Sequence, residues 1–396
     1  MKVLYVCHCS MIGGGTISAL DVVSSLVALG YDVDVCFPSM NETLNTQIVN
    51  LGATPKSCPN ICLLSYYSGS TSHLKTFISY LVSLKNQRKW KEYLRYRQYD
   101  LICFNSVTQL PLAKIVHNAG IRNICFIRET KNAKKHFFLE YIQNSYSKYV
   151  DYYSYLSDYD FRTWNFTDKK YIVPDTLRIP KMAECSNLYK KSFDSHCDLS
   201  ILFLGGFSKI KGGLTLLKAL SLENDAKIEC KILGVDDSIL NSRKAKIFKH
   251  IKNSNVAYHI ACKSFFEIIK KQSNITVRIM PPQVDLSCYF QDCDVIVFPA
   301  TEMHQARPIY EAGYYHKPVI VSDYPCYAEY IKDFYNGRVF ASGDYLALHV
   351  LLHEFAVDKG LCEYMGNNNY DYYVKYHEYD TVQKKLKLLL DDCFSK

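Results

Sequence analysis

The sequence predicts an α/β protein built from two parallel-sheet domains. The chain has 396 residues, enough for two or three domains with cores of their own. It is 48% hydrophobic and 22% charged, a composition too apolar for a disordered chain. Short apolar runs alternate with longer amphipathic segments, as in a parallel sheet, and this series runs twice with a break between.

Five apolar runs in the first half predict strands, and amphipathic segments between them predict helices. The strands are expected at 2–8, 32–37, 100–104, 123–127 and 171–174, and the helices at 16–29, 73–94, 107–119 and 133–145. The first run ends by His8 and continues into glycines, so it predicts a strand and not a signal peptide.

The second half repeats this order. Strands are expected at 200–204, 227–233, 276–280, 294–299, 317–321 and 337–340, and helices near 212–222, 238–250, 306–315, 324–332 and 343–357. Polar residues with little periodicity at 181–198 predict a linker. The expected domains are therefore 1–180 and 199–378, with a charged helix at 379–396 that packs back on the first domain.

Composition and charge exclude several classes of protein. The 47 Lys and Arg residues exceed the 39 Asp and Glu residues by 8. This charge suits an anionic ligand or a membrane surface, but it is small for a nucleic-acid-binding protein, and no recognition motif is present. The 16 cysteines include no CxxC pair, which indicates reduced thiols in a cytoplasmic protein. No apolar run reaches ~18 residues, so no membrane span is expected.

Glycines and polar residues follow predicted strands, where open α/β sheets bind ligands. Three glycines at 13–15 follow the first strand and precede a helix. Consecutive glycines allow an anionic ligand to approach the backbone and the helix N-terminus, and a flexible turn is the alternative. The segment 205–213 places glycines, Lys209 and Lys211 at the equivalent point of the second half, which fits a phosphate site. A solvated turn is again the alternative.

A third segment, 298–313, joins a predicted strand to a helix that bears Glu311. A carboxylate near a helix start can accept hydrogen bonds from two hydroxyl groups of a ligand. The alternative is a carboxylate that only complements the helix dipole.

Together these segments resemble glycosyltransferase family 4, the retaining group with the GT-B fold, in which two Rossmann-like domains face each other across a cleft. The resemblance covers nearly the whole chain. The segment 205–212 matches the family's glycine, five intervening residues and then Lys-Gly. Glu311 with Pro318–Ile320 matches the second half of its paired-glutamate motif, and Gly234 and Tyr376–Glu378 fit later family positions.

The resemblance implies transfer of a sugar from a nucleotide diphosphate-sugar, the donor, to an acceptor, with no other cofactor. Lys211 would hold the donor diphosphate and Glu311 the donor ribose, with Arg307 as a third catalytic residue. The other donor-binding positions would be Gly205, Gly206, Lys209, Gly212, Glu302, Met303, His304, Gln305, Ala306 and Pro308. The acceptor side would be lined by Gly13, Gly14, Gly15, Arg128 and Glu129. The expected acceptor is a growing surface glycan on a lipid carrier.

Two positions depart from the family pattern. Many members have arginine where this chain has Gly206, so one phosphate-binding cation is missing, and Lys209 or Arg307 can substitute for it. The family's first glutamate falls at Met303, one residue after Glu302. Either Glu302 shifts to bind the sugar, or backbone amides of the same loop hold it.

No metal is expected at the site. The three Asp-x-Asp triplets, at 32–34, 158–160 and 292–294, are short enough to occur by chance. A lysine and helix dipoles would neutralise the leaving diphosphate instead. No nucleophile–base pair stands out, so the resemblance implies front-face attack, in which the leaving phosphate accepts the acceptor's proton.

Residues 75–97 carry seven Lys or Arg residues and one acid. With Phe77, Trp90, Tyr93 and Tyr96 they predict contact with an anionic membrane surface, through a kinked or two-part helix, at the inner face of the plasma membrane. A solvated basic face is the alternative.

Two other functions stay open at this point. The departures at Gly206 and Met303 fit a non-catalytic GT-B scaffold subunit of a glycan assembly complex. A GT-B nucleotide-sugar epimerase is the other, although no general acid or base for it stands out.

Overall fold

The computed structural model describes residues 1–8, 10, 13–39, 41–59, 73–131, 137–177, 196–235, 255–283, 285–305 and 307–395. The helix expected at 238–250 and most of the expected linker lie outside these residues. The chain divides into two compact units, Met1–Arg178 with Tyr376–Lys396, and Ile179–Lys375. Each unit contains a six-stranded sheet in which all neighbouring strands run parallel. The predicted α/β fold with two parallel sheets is therefore confirmed.

The first unit places its strands in the order β3-β2-β1-β4-β5-β6. These strands are β1 (Lys2–Val6), β2 (Asp32–Cys36), β3 (Thr54–Pro55), β4 (Leu101–Phe104), β5 (Arg122–Ile127) and β6 (Tyr152–Tyr155). The helices are α1 (Gly14–Ala28), α2 (Glu42–Asn50), α3 (His73–Arg95), α4 (Leu110–Asn118), α5 (Phe137–Ser147) and α6 (Asp158–Trp164), with a 3₁₀ turn at Val107–Gln109.

One edge of this sheet differs from the sequence prediction. The run expected as a strand at 171–174 forms only an isolated bridge, between Ile172 and Tyr155. Pro174 follows directly and has no N–H with which to continue a ladder. The edge strand is instead β6, whose tyrosine-rich sequence the prediction did not assign to a strand. The short strand β3 was also missed.

The second unit places its strands in the order β12-β11-β10-β7-β8-β9. These strands are β7 (Leu199–Phe203), β8 (Ile228–Leu233), β9 (Ile275–Met280), β10 (Val295–Phe298), β11 (Val319–Ser322) and β12 (Gly337–Phe340). The helices are α7 (Gly213–Leu220), α8 (Asn255–Ile269), α9 (Ser287–Asp292), α10 (Arg307–Tyr314), α11 (Tyr345–Val357) and α12 (Lys359–His377).

The helix expected at 324–332 is wrong, because the structure has only a 3₁₀ turn at Pro325–Tyr327. The amide of Asn336 occupies the backbone groups that a longer helix would need. Its nitrogen donates to the Tyr330 carbonyl at 2.8 Å, and its oxygen accepts from the Lys332 N–H at 2.8 Å. Helices α8, α9 and α12 were not predicted.

Strand β1 explains why the first apolar run is continuous. Val3 and Tyr5 pack into a core with α1 and α2, while Leu4 and Val6 pack into a second core with α3, α4 and α5. All four side chains are fully buried. A central parallel strand is covered on both faces, so both alternating sets of side chains are apolar.

Numbered from its own first strand, each sheet has the order 3-2-1-4-5-6, the doubly wound Rossmann order. In such sheets ligands bind beyond the carboxyl ends of the strands, where the order reverses. The reversal lies between β1 and β4 in the first unit and between β7 and β10 in the second. These two edges are where each unit's site is expected.

The last helix, α13 (Tyr379–Phe394), belongs to the first unit. Its buried side chains join the core that contains Val3 and Tyr5, namely Val382, Leu386, Leu389, Leu390 and Cys393. Arg122 of β5 also donates to the Cys393 carbonyl at 2.6 Å. None of the helices in the described part of the chain has the length and hydropathy needed to cross a bilayer.

Leu389→Ala should lower the free energy of unfolding by about 2–5 kcal/mol, because it removes a fully buried side chain from this core. Leu388→Ala is the matched control, since the preceding leucine is 66% exposed and should change stability by less than about 0.5 kcal/mol. Urea denaturation of the two variants measures the difference. Equal losses would contradict the packing of α13.

Candidate active site

The loop after β7 requires glycine at two positions. Gly206 and Gly212 have φ values of +54° and +78°, in the left-handed region that side chains rarely adopt. A Cβ at Gly206 would lie 2.3 Å from the Gly234 carbonyl oxygen, and one at Gly212 would lie 1.7 Å from the Pro299 oxygen. The loop is therefore fitted closely between the loops that follow β8 and β10.

The same loop is bonded to the segment after β10. The Thr301 N–H donates to the Ile210 carbonyl at 3.0 Å, and the Thr301 hydroxyl donates to the Lys209 carbonyl at 2.7 Å. Two motifs that are about 90 residues apart thus form one site at the carboxyl edge of the second sheet. The Lys209 side chain itself is exposed.

Lys211 is a half-buried cation in this site. Its Nζ lies 5.5 Å from the centroid of the Phe298 ring. Burial lowers the pKa of Lys211 to about 8, and no acidic group in the described residues offsets that effect. Desolvating an ammonium without a counter-ion is unfavourable, so this arrangement favours an anionic ligand that supplies the missing charge.

His304 lies beside Lys211. Its ring centroid is 5.0 Å from that of Phe298, and burial together with the Lys211 charge lowers the pKa of His304 to about 3. Its Nδ1 is 2.8 Å from the Glu302 carbonyl oxygen. A carbonyl only accepts, so Nδ1 carries the proton and Nε2 is the acceptor atom of a neutral imidazole.

Two acceptor atoms in this loop are buried without a hydrogen-bond partner in the described residues, Nε2 of His304 and Oε2 of Glu302. They flank Met303, which holds the register of the family's first glutamate. Buried polar atoms are normally paired, so a ligand with hydroxyl groups is the partner that this loop can accept. Met303 and Gln305 are half-buried, and Ala306 lies outside the described residues.

Glu311 and Arg307 form an ion pair on α10. The Arg307 Nε lies 2.6 Å from Oε1 of Glu311, and the two side chains are only 12% and 13% exposed. Glu311 is the fifth residue of the helix, beyond the first turn, so the alternative of a carboxylate that serves only the helix dipole does not fit. Pro308 takes the second position, where a missing N–H costs no helix bond.

At the carboxyl edge of the first sheet, Asn105 joins several predicted residues. Its oxygen accepts from the Tyr5 hydroxyl at 2.6 Å and from Arg128 Nε at 3.4 Å. Its nitrogen donates to the Gly15 carbonyl and to His8 Nδ1, both at 3.3 Å. Arg128 also pairs with Asp175. The structure thus brings Gly15 and Arg128 together, as members of one buried polar network.

His8 is a residue of this edge that the sequence prediction did not choose. Burial lowers the pKa of His8, and its Nδ1 accepts from Asn105, so the neutral ring carries its proton on Nε2. Its position directly after β1 was the signal that could have identified it.

Glu129 has a different environment from the one expected of a cleft-lining acid. Its carboxylate accepts from the Ser106 hydroxyl and from the N–H groups of Val107 and Arg128, the last two at 3.2 Å each. It therefore binds the loop after β4 to the loop after β5. Gly13 and Gly14 are exposed, and nothing lies within 4 Å of a Cβ built at Gly13.

The Asp-x-Asp carboxylates have partners of their own. Asp34 accepts from the Tyr99 hydroxyl at 2.9 Å, Asp160 accepts from the Ser157 hydroxyl at 2.7 Å, and Asp294 pairs with Lys359 at 2.9 Å. In the described ranges no group of three His, Cys, Asp or Glu side chains could hold a metal ion.

Known proteins resemble this chain in sequence and in structure. Residues 189–372 match the family Glycosyl transferases group 1. A crystal structure of a glycosyltransferase from Rickettsia africae ESF-5 is similar over 100% of this chain and 99% of that chain, with a TM-score of 0.69 and 15% identity. Anabaena Alr3699/HepE in complex with UDP and glucose is similar over 99% of each chain, with a TM-score of 0.70 and 14% identity.

Sucrose-phosphate synthase (tll1590) from Thermosynechococcus elongatus is similar over 100% of this chain and 99% of that chain, with a TM-score of 0.70 and 15% identity. No curated protein matches the chain. The structural likenesses show that the fold is GT-B. Residues 189–372, which match the group 1 family, lie in the second unit, and the chain is a glycosyltransferase.

Gly206→Ala should destabilise the protein more than Gly343→Ala, because both residues have positive φ but only Gly206 also lacks space for a Cβ. The left-handed backbone costs about 1–2 kcal/mol at either position, and overpacking adds about 1–3 kcal/mol at Gly206. Thermal unfolding of the two variants measures the difference. A Gly206→Ala variant as stable as Gly343→Ala would contradict the tight loop.

Proposed function

We propose that this glycosyltransferase is a retaining enzyme of family 4, which moves a sugar from a nucleotide diphosphate-sugar to a lipid-linked surface glycan. The observation that carries the proposal is the half-buried Lys211, whose pKa desolvation lowers to about 8 and which has no acidic partner in the described residues. A diphosphate is the part of such a donor that supplies the missing negative charge. The complex of HepE with UDP and glucose supports a donor of this class.

The other donor contacts follow from the geometry around Lys211. The buried acceptor atoms of His304 and Glu302 are suited to sugar hydroxyls. The Glu311 carboxylate, held by Arg307, is assigned to the ribose hydroxyls. Arg307 and the exposed Lys209 are the cations available to replace the arginine that is absent at Gly206.

The proposed reaction is front-face substitution at the anomeric carbon. The bond from that carbon to the diphosphate oxygen breaks, a bond to the acceptor oxygen forms, and the acceptor's proton passes to the leaving phosphate. Lys211 stabilises the charge that develops on the diphosphate. We propose that no metal ion is needed for this step. Retention requires the same anomeric configuration in donor and product, which proton NMR can determine.

The acceptor is assigned to the first unit, at the edge that contains Gly15, His8 and Arg128. Neutral His8 offers an N–H donor there, which suits a sugar hydroxyl. We place the enzyme in the cytoplasm, at the inner face of the plasma membrane, because residues 75–97 carry seven cations that suit an anionic surface.

A non-catalytic scaffold subunit does not need a desolvated cation that lacks an acidic partner. Lys211 therefore favours the active enzyme over that alternative. Donor hydrolysis or sugar transfer by the purified wild-type chain distinguishes the two, because thermal stabilisation by a nucleotide-sugar, RT ln(1+[L]/Kd), reports binding alone.

Lys211→Ala should lower turnover about 100-fold, or ~3 kcal/mol, because it removes the charge that stabilises the leaving diphosphate. Lys227→Ala is the matched control, since Lys227 is an exposed lysine of the same unit outside the site. Release of nucleoside diphosphate from the stabilising donor measures turnover. Near-normal turnover in a folded Lys211→Ala protein would refute the assignment.

The pH profile of kcat/KM should fall above pH about 8, the pKa that burial gives Lys211 in the free protein. The sign follows from the charge, because the ammonium that attracts the diphosphate exists below this pKa and is lost above it. His304, with a pKa of about 3, stays neutral from pH 5 upward and adds no step there. The Lys211→Arg variant keeps its positive charge above pH 8, so the fall in kcat/KM at alkaline pH should disappear. An identical fall in that variant would assign it to another group.

A further inference from the structure

Helix α3 buries one face and exposes the other. Trp90 and Tyr93 are 2% and 8% exposed, so the prediction that they face a membrane is wrong. They pack with β1 and β4 in the core of the first unit, together with Leu94. The helix also runs as a single element from His73 to Arg95 and not in two parts.

The outer face of α3 is apolar in its first half. Five large side chains there are each 39–51% exposed, namely Phe77, Ile78, Leu81, Val82 and Leu84. A contiguous apolar patch of this kind on a soluble surface marks an interaction site.

The same outer face is cationic in its second half. Five exposed residues carry positive charge, namely Lys85, Arg88, Lys89, Lys91 and Arg95. The one acid of this stretch, Glu92, lies 3.4 Å from Arg88. Along the helix axis, the outer face therefore changes from apolar side chains to positive charges that only one acid offsets.

A groove of about 790 Å³ lies at the C-terminal end of α3, against α4. Its lining includes Lys91, Arg95 and Arg97 together with Leu94 and Ile115. The Arg97 guanidinium lies 3.9 Å from the centroid of the Tyr93 ring. The lining also includes one acid, Asp100, whose carboxylate accepts from the Lys2 N–H at 2.6 Å, so three cations outnumber it and the groove fits the phosphate and glycerol of a lipid headgroup.

We propose that the outer face of α3 docks on an anionic phospholipid bilayer, with Phe77, Ile78 and Leu81 inserted among the lipids. The cations from Lys85 onward contact the headgroup phosphates, and the groove beside Arg95 holds one headgroup. This surface specifies how the proposed enzyme contacts the membrane. It rests on the proposed function only for the lipid-linked acceptor. A bilayer is the partner that offers hydrocarbon and negative charge in adjacent layers, in the order that α3 presents.

Co-sedimentation of the full chain with vesicles tests the surface. The wild type should bind vesicles of phosphatidylcholine with phosphatidylglycerol, bind phosphatidylcholine alone weakly, and be released at high salt, which shortens the Debye length to about 3 Å at 1 M. Arg88→Ser/Lys89→Ser/Lys91→Ser should weaken binding on the order of 100-fold. The matched control replaces three exposed lysines elsewhere, Lys332, Lys384 and Lys387, by serine and should bind like the wild type.

The apolar half is tested separately. Phe77→Ser/Ile78→Ser/Leu81→Ser should also lose binding, while Leu346→Ser/Val350→Ser, an exposed apolar pair on α11, should not. In Ile78→Trp, the fluorescence emission of the new indole should shift to the blue on anionic vesicles as it enters the lipids. The emission of Trp90 and Trp164 should change little, because both side chains are buried in the protein.

Three results would overturn the proposal. They are equal binding to neutral and anionic vesicles, full binding by the serine variants of α3, and conversion of a dimer to a monomer by Phe77→Ser/Ile78→Ser/Leu81→Ser, which would make a second copy the occupant. Thermal stabilisation by the donor is measured in the same samples. It depends on Lys211, so failure of the donor site and failure of the membrane surface are distinguishable.

Discussion

The donor site proposed for the second unit depends on one positive charge, the half-buried and partly desolvated Lys211. Moving an ammonium out of water costs several kcal/mol unless an opposite charge is supplied, and no acid in the described residues supplies one to Lys211. The glycine loop keeps the lysine in this position because Gly212 packs against Pro299 and Thr301 bonds to the loop. The fold therefore maintains an unfavourable charge that a bound diphosphate would make favourable.

The carboxyl edge of the first unit is organised differently. Arg128 is paired with Asp175, and the Glu129 carboxylate accepts from a hydroxyl and two backbone N–H groups. These charges are already compensated within the unit. What the edge offers a ligand is the N–H of neutral His8 and the open backbone at Gly13, which suits hydroxyl groups more than phosphate. The two units thus differ in the ligand charge that each can stabilise.

Much of this arrangement could be predicted from the sequence, because short local patterns of apolar residues and glycines determine it. Continuous apolar runs identified all six strands of the second sheet, and glycines before Lys211 identified its loop. The pattern failed where tertiary contacts decide the structure. Strand β6 consists of three tyrosines and a serine, which do not form an aliphatic run, and the structure shows them buried and paired in parallel with β5. The helix expected at 324–332 is replaced by bonds from Asn336, a residue four positions beyond it.

The sequence predicted where site residues lie in the fold, but not their protonation state or their burial. The sequence identified His304 as part of a loop, but its neutrality depends on burial and on the Lys211 charge, which the fold brings beside it. Likewise the sequence showed that cations and large apolar or aromatic side chains occur together at 75–97. Only packing shows which of them lie on the outer face of α3 and that Trp90 lies in the core.

The absence of an arginine at position 206 and the neutral state of His304 both reduce the positive charge available at this site. The Gly234 carbonyl lies where a side chain at 206 would begin, so the loop cannot hold a second cation there without moving. His304 does not replace it, because burial and Lys211 keep the imidazole uncharged. Arg307 shares its charge with Glu311. In the proposed donor complex the diphosphate would therefore be stabilised mainly by Lys211, and the neutral histidine would accept a hydrogen bond from a hydroxyl group, a role that a protonated ring could not fill.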